Sequence, residues 1–306
     1  MMAIVGLFLL IQVAGMAIMN LVTMLDWFAN IDWLLPIGLR PRVRWGLPGF
    51  FFVWLFTLIL QVIVMFALKL APIMSSDVYQ SVRQLGIISI SNLIFILVIP
   101  LLLGPGWRKG CQRLGLMGPE LPRQVGLGVR VAFLISPWVY MVNMMAKKIF
   151  EETPHEVMKM LDRGHGLDKV QGHGVENFSV TMSLAFVGAV ILAPMAEEIL
   201  FRGILLGGLI RKTRSKPASH RQIPVQLANI ITSLFFASLH GTAWPAPIGI
   251  FVLSLAIGKV YIMTGRLWPC VVAHSVFNFT GVLGMGATAL SKKTDVVAWI
   301  LGMISF

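Results

Sequence analysis

The sequence predicts an all-α, polytopic integral membrane protein of about eight transmembrane helices, built as a single membrane domain over residues 1–306. Three observations carry that expectation. Of the 306 residues 57% are hydrophobic and only 12% charged, where an ordinary soluble domain is about 25% charged. Apolar runs long enough to cross about 30 Å of hydrocarbon recur along the chain, with no internal repeat or linker between them. Finally, 25 Lys and Arg oppose 13 Asp and Glu, for a formal charge of +12. Those basic residues lie between the apolar runs, as in loops facing anionic lipid, and not in the single stripe that tracks nucleic-acid phosphates. Membrane lipids are therefore expected partners, and nucleic acid is not.

The runs, in order, cover residues 3–25, 46–74, 85–103, 125–150, 178–210, 224–240, 247–264 and 267–289. The first is too long for a signal-peptide core and has no basic residue before it, so it is expected to be retained. A tail at 296–306 is too short to span and is expected at the interface. Between the fourth and fifth runs the composition reverses, giving a water-exposed loop at 151–177 in which Val157, Met158 and Leu161 suggest a short amphipathic helix. Basic residues concentrate in alternate loops, at Arg40, Arg42 and Arg44, at Arg108, Lys109, Arg113 and Arg123, and at Arg211, Lys212, Arg214, Lys216 and Arg221. The positive-inside rule makes those loops cytoplasmic and puts both termini on the far side, with Lys292 and Lys293 opposing. The expected location is the plasma membrane, or the inner membrane for a bacterial source. Cys111 and Cys270 form no disulfide framework or thiolate metal spacing, and the loop histidines His155, His165 and His173 match no zinc pattern.

An ionisable group at the centre of a span costs about 2.5 to 3.5 kcal/mol on insertion scales, so each needs a partner or a function. Most runs have none. The fifth contains Glu197, Glu198 and Arg202 within Ala-Pro-Met-Ala-Glu-Glu-Ile-Leu-Phe-Arg-Gly. Glu198 and Arg202 are four apart and share a helix face, where they can pair. Glu197 then points roughly 100° away, unpaired in its own helix and suited to proton transfer. Pro194 lacks an N–H, would leave the carbonyl of Val190 without a donor, and is expected to kink the helix. A satisfied ion cluster that only holds helices together is the alternative. Pro100 and Pro137 are expected to kink or end their helices, and Gly203, Gly207 and Gly208 to admit a close neighbour.

Two histidines fall in runs: His240 closes the sixth, and His274 lies early in the eighth, four residues before Asn278 and on its face. At about 1.5 Å per residue from the Arg211–Arg221 side, Glu197 lies about 20 Å deep, Asn278 about 16 Å, His274 about 10 Å and His240 about 24 Å. All four are within reach of one cavity, and such a set in apolar surroundings describes a hydrolytic site.

Three ordered motifs result: Glu-Glu-x-x-x-Arg at Glu197, Glu198 and Arg202; Phe-x-x-x-His at Phe236 and His240; and His-x-x-x-Asn at His274 and Asn278. In these the chain resembles the CPBP family, the CAAX proteases and bacteriocin-processing enzymes, which includes type II CAAX prenyl proteases and Abi proteins. The resemblance covers residues 193–278; the first four spans rest on topology alone. It implies an intramembrane endopeptidase that hydrolyses a peptide bond of a membrane-associated protein or peptide, with prenylated CAAX-type chains and other membrane proteins both open as substrates. Carried onto this chain, Glu197 and His240 would activate the attacking water, His274 and Asn278 would stabilise the oxyanion, and Glu198, Arg202 and Phe236 would support them. Such enzymes are often named metalloproteases, and Glu197, His240 and His274 would make a His2Glu zinc shell. The sequence has no HExxH, so water activated by glutamate with no cofactor is preferred and zinc stays the alternative. Two other functions stay open: a proton-coupled membrane transporter, and a non-catalytic immunity or scaffold protein.

Overall fold

In a computed structural model, described for residues 18, 47–69, 80–118, 120–151, 153, 174–214 and 225–291, the chain is helical with no strand among the described residues. The elements are α1 (Leu47–Lys69), α2 (Gln80–Leu103), α3 (Trp107–Leu114), α4 (Leu121–Ile149), the long helical stretch α5 (174–214), α6 (Val225–Ser238), α7 (Ala246–Thr264) and α8 (Trp268–Ser291). The runs expected at 3–25 and 296–306, the amphipathic segment after residue 153, and its three histidines lie outside the described residues.

Among the described residues, five helices are long and apolar enough to cross a membrane: Leu47–Lys69, Val82–Leu103, Leu121–Ile149, Val180–Ile210 and Ala246–Thr264. Their outward faces carry large apolar side chains such as Phe51, Phe52 and Phe66 on α1 and Met144 and Met145 on α4, as a surface bathed in lipid tails requires. α6 is shorter than the 224–240 run, with 14 residues that rise about 21 Å. Its remainder becomes a turn that holds His240, then a 3₁₀ turn at Gly241–Ala243.

α5 is the axis of the bundle. Every residue from Ile199 to Leu206 is buried, and α1, α2, α6 and α8 all pack on it. Small residues permit this closeness: a Cβ on Gly203 would sit 2.9 Å from Leu114 Cδ2, and one on Gly188 2.6 Å from Ser89 Oγ. α4 lies against α7 and α8 through a stripe of Gly128, Ala132, Ser136, Val139 and Ala146. Pro100 and Pro137 both sit inside continuous helices; α2 ends three residues after Pro100, while α4 runs on past Pro137.

The segment expected as a basic loop folds as α3. Its sequence, WRKGCQRL, puts Gly110, Cys111 and Leu114 inward and leaves Arg108 and Lys109 exposed. Gly115 closes it at φ 81°, with Leu116 N–H donating to the Cys111 carbonyl at 2.9 Å, the left-handed cap that glycine favours. That turn docks on the α7–α8 corner: Leu267 N–H reaches the Gly115 carbonyl at 3.2 Å, Arg266 Nη1 the Met117 carbonyl and Trp268 Nε1 the Leu116 carbonyl, each at 2.8 Å. These bonds pin the end of the bundle opposite the His240 turn.

Candidate active site

Pro194 shapes the middle of α5. The helix stays continuous through it but widens to π geometry over Val187–Leu192, returns to α over Ala193–Glu198, and widens again over Ile199–Leu206. Ala193 N–H donates to the Gly188 carbonyl, five residues back. The Ala189 carbonyl is thereby left facing Pro194, which has no hydrogen to give. The unmet acceptor is thus Ala189 and not Val190, as an uninterrupted α register would have it. Asn278 of α8 meets it, donating from Nδ2 to Ala189 O at 2.8 Å.

One turn further on, the acids separate as expected. Glu198 is fully buried (0% exposed) and Arg202 almost so (1%), with Nη1 to Oε1 at 2.9 Å. The same Oε1 accepts from His274 Nδ1, also at 2.9 Å. Glu197 keeps 31% of its side chain exposed, and its Oε2 lies 3.7 Å from His274 Nε2. A single imidazole therefore stands between the two carboxylates, bonded to the buried one and facing the open one. With Nδ1–H given to Glu198, Nε2 carries a lone pair in the neutral ring and donates toward Glu197 in the charged one.

His240 enters from the turn after α6. Its Nδ1 is 3.0 Å from the Phe236 carbonyl, so in the neutral ring Nδ1 carries the hydrogen and Nε2 presents a lone pair. Phe236 joins the three motifs: its ring centroid is 4.9 Å from the His240 ring, 5.7 Å from the His274 ring, and 4.8 Å from the guanidinium carbon of Arg202. The His240 turn is tied down from the residues that follow α4, since Thr153 N–H donates to the Trp244 carbonyl at 2.9 Å and its hydroxyl reaches the Thr242 carbonyl at 3.1 Å. Phe150 packs edge-on against Trp244.

Of the seven residues singled out in the sequence, Arg202, His240 and His274 lie against the ring of Phe236, Glu197 and Glu198 flank His274, and Asn278 lies one turn along α8 against the α5 backbone. Asn278 is spent in part on the helix backbone, a bond invisible without the π register. Sequence reasoning missed Ser254 of α7, whose hydroxyl accepts from Arg202 Nη2 at 2.8 Å; a lone serine in an apolar run gives little signal. Among the described residues, no group of three or more His, Cys, Asp or Glu side chains is placed to hold a metal ion.

The fold and site define a class: a multi-pass integral membrane protein with a buried carboxylate, histidine and arginine cluster inside its helix bundle. Residues 179–280 match the family described as Type II CAAX prenyl endopeptidase Rce1-like. That match is consistent with the CPBP family, and the matched segment contains α6, α7, most of α5 and the part of α8 that carries His274 and Asn278. No curated protein matches the chain. No solved structure matches it either.

Proposed function

We propose that the protein is an intramembrane endopeptidase that hydrolyses a peptide bond of a membrane-associated, CAAX-type protein or peptide, using a water activated by Glu197. The family of the 179–280 domain is one of membrane endopeptidases. The observation that carries the reading is the division of labour between adjacent acids: Glu198 is buried on Arg202 and His274, while Glu197 stays open toward the same imidazole.

In the proposed reaction Glu197 and the His240 Nε2 lone pair hold the water, and Glu197 takes its proton as the oxygen attacks the scissile carbonyl. His274 Nε2–H and the second Nδ2 hydrogen of Asn278 receive the oxyanion. The C–N bond then breaks, and the proton held by Glu197 passes to the leaving amine. The oxyanion role uses the Nε2 hydrogen, which the ring carries once it takes up a proton between the two carboxylates. Glu198 fixes the ring through Nδ1, as a buried carboxylate orients the histidine of a hydrolase.

Zinc held by Glu197, His240 and His274 stays the alternative activator, and chelator treatment decides between the two. Glu197, His240 and His274 do not form a group placed to hold a metal among the described residues, and His274 has both nitrogens directed at carboxylates. No step is routed through a metal.

The test is cleavage of lipidated and unlipidated C-terminal peptides by purified protein in liposomes. Wild type cleaves them, with no loss after chelator treatment, and Glu197→Gln is slower by at least about 10³-fold while folding normally. A folded Glu197→Gln variant with full activity would remove the glutamate from the mechanism; chelator-sensitive cleavage restored by zinc would replace it with a metal.

A further inference from the structure

Resting on the endopeptidase reading above, we propose that Ser254 of α7 is a positioning residue for the reaction, aiming His274 through a relay that runs Ser254, Arg202, Glu198, His274. The relay joins three helices, α5, α7 and α8. Arg202 Nη2 donates to the Ser254 hydroxyl at 2.8 Å and to the Ser254 carbonyl at 3.3 Å. Its other terminal nitrogen, Nη1, donates to Glu198 Oε1 at 2.9 Å, and that oxygen takes the His274 Nδ1 hydrogen at 2.9 Å. All four side chains are buried: Ser254, Arg202 and Glu198 are at most 1% exposed and His274 is 4%.

Ser254 matters because the guanidinium has few other holds. Among the described residues its Nε has no hydrogen-bond partner, and the second Glu198 oxygen, Oε2, has none either. The guanidinium lies over the face of Phe236, which attracts a cation without fixing its rotation. A planar fork is oriented by the acceptors on its separate nitrogens. With Glu198 on Nη1 and Ser254 on Nη2, the plane is set by two fixed points, one on its own helix and one on α7. Without the serine hydroxyl, the weaker 3.3 Å bond to the carbonyl is all that holds Nη2, and the fork is free to turn about the Glu198 contact. Glu198 then shares its Oε1 less evenly, and the His274 ring, aimed through that single oxygen, loses its orientation toward the reacting carbonyl.

The side chain is suited to this place. Serine is small enough for the crowded seam between α5 and α7, and its hydroxyl is an acceptor that neither alanine nor cysteine replaces well. Its neighbours Leu253 and Ile257 pack in the core, so packing alone would favour an apolar residue there. A hydroxyl on the inward face is the departure the relay accounts for.

The experiment compares wild type with Ser254→Ala, Ser254→Cys and Ser254→Thr, with Glu197→Gln as the inactive reference. Since His274 acts on the transition state, Ser254→Ala is expected to lower kcat about 10- to 30-fold with KM within about 2-fold, as loss of one charge-assisted bond would. Ser254→Cys follows alanine, and Ser254→Thr, which keeps the hydroxyl, returns to within about 3-fold of wild type. A second readout needs no substrate. In ¹⁵N-histidine-labelled protein the His274 Nδ1 resonance, assigned by its absence in His274→Gln, shifts in Ser254→Ala and stays in place in Ser254→Thr. Ser254→Ala with wild-type kcat and an unmoved His274 resonance would overturn the relay. So would equal loss in all three variants with the resonance unmoved, which marks a packing role only. An active Glu197→Gln would instead strike the endopeptidase mechanism, leaving the resonance to judge Ser254 alone.

Discussion

Replacing Arg202 by methionine isolates what the buried ion pair does for the fold. The substitution keeps a long, unbranched side chain of similar reach but removes the charge 2.9 Å from a glutamate that is wholly buried. At an effective dielectric of about 20 two unit charges at that distance attract by about 6 kcal/mol. Part of that attraction is offset by the desolvation both groups suffer, so the net cost of removing one partner is about 3–5 kcal/mol, most of it the penalty of the stranded Glu198. For a chain of 306 residues, that loss lowers the unfolding temperature by roughly 5–8 °C. The double variant Glu198→Gln/Arg202→Met carries no stranded charge, and the introduced amide oxygen can still accept from His274 Nδ1. It is expected to recover more than half of the lost stability while remaining at least about 100-fold impaired in cleavage. The assay is thermal unfolding in one detergent at one scan rate, because unfolding of such a protein is governed by kinetics as well as equilibrium. A single variant as stable as wild type, or a double variant no better than the single, would refute the assignment of this pair as a charge-balanced unit.

Three further outcomes follow from the packing. Asn278→Leu leaves the Ala189 carbonyl without its 2.8 Å donor, at a cost of about 1–3 kcal/mol, and hydrogen exchange should rise over residues 189–195 more than elsewhere in α5; uniform protection would sink the clamp. Gly203→Val drives its Cβ toward Leu114, whose Cδ2 is only 2.9 Å away, so it should destabilise by about 1–3 kcal/mol, and Leu114→Ala should relieve it in a double-variant unfolding series. Cys111 sits in α3, outside the spanning helices, and burial pushes its thiol above the ordinary value; because only the thiolate reacts, maleimide labelling at pH 7.5 should be slower than for a free thiol and should accelerate at higher pH than a free thiol does. Rapid labelling at neutral pH in the folded protein would contradict that burial.

What was legible in the sequence follows from the strength of each physical signal. Apolar length in lipid is such a signal, so the runs from 46–74 to 267–289 appear as helices with ends shifted by a few residues. Charge inside an apolar run is another, and it located Glu197, Glu198 and Arg202 before any contact was known. The fourfold spacing of Glu198 and Arg202 and of His274 and Asn278 placed each pair on one face, because that periodicity belongs to the helix itself. α3 was not legible: WRKGCQRL has so little apolar content that its inward face of Gly110, Cys111 and Leu114 shows only once α2 and α5 supply a surface. The register of α5 was not legible either. Proline announces a lost hydrogen bond, but whether the helix bends or widens depends on what can satisfy the freed carbonyl, and here that group is Asn278, more than eighty residues downstream.

That dependence explains why adjacent glutamates in one helix can have such different surroundings. In a straight α-helix neighbours diverge by about 100°, so only one can face the bundle axis. Here Glu198 takes the inward position, where Arg202 from its own helix and His274 from α8 converge on one oxygen. Glu197 is left on the flank, where His274 Nε2 is its near neighbour. The π-turn before them is held by Asn278, one turn along α8 from His274. The helix that supplies the imidazole therefore also sets the register of the helix that supplies the acids. A shift of α8 along its axis moves the donor to Ala189 and the ring between the carboxylates together, so the geometry that holds the fold and the geometry that holds the chemistry cannot drift apart independently.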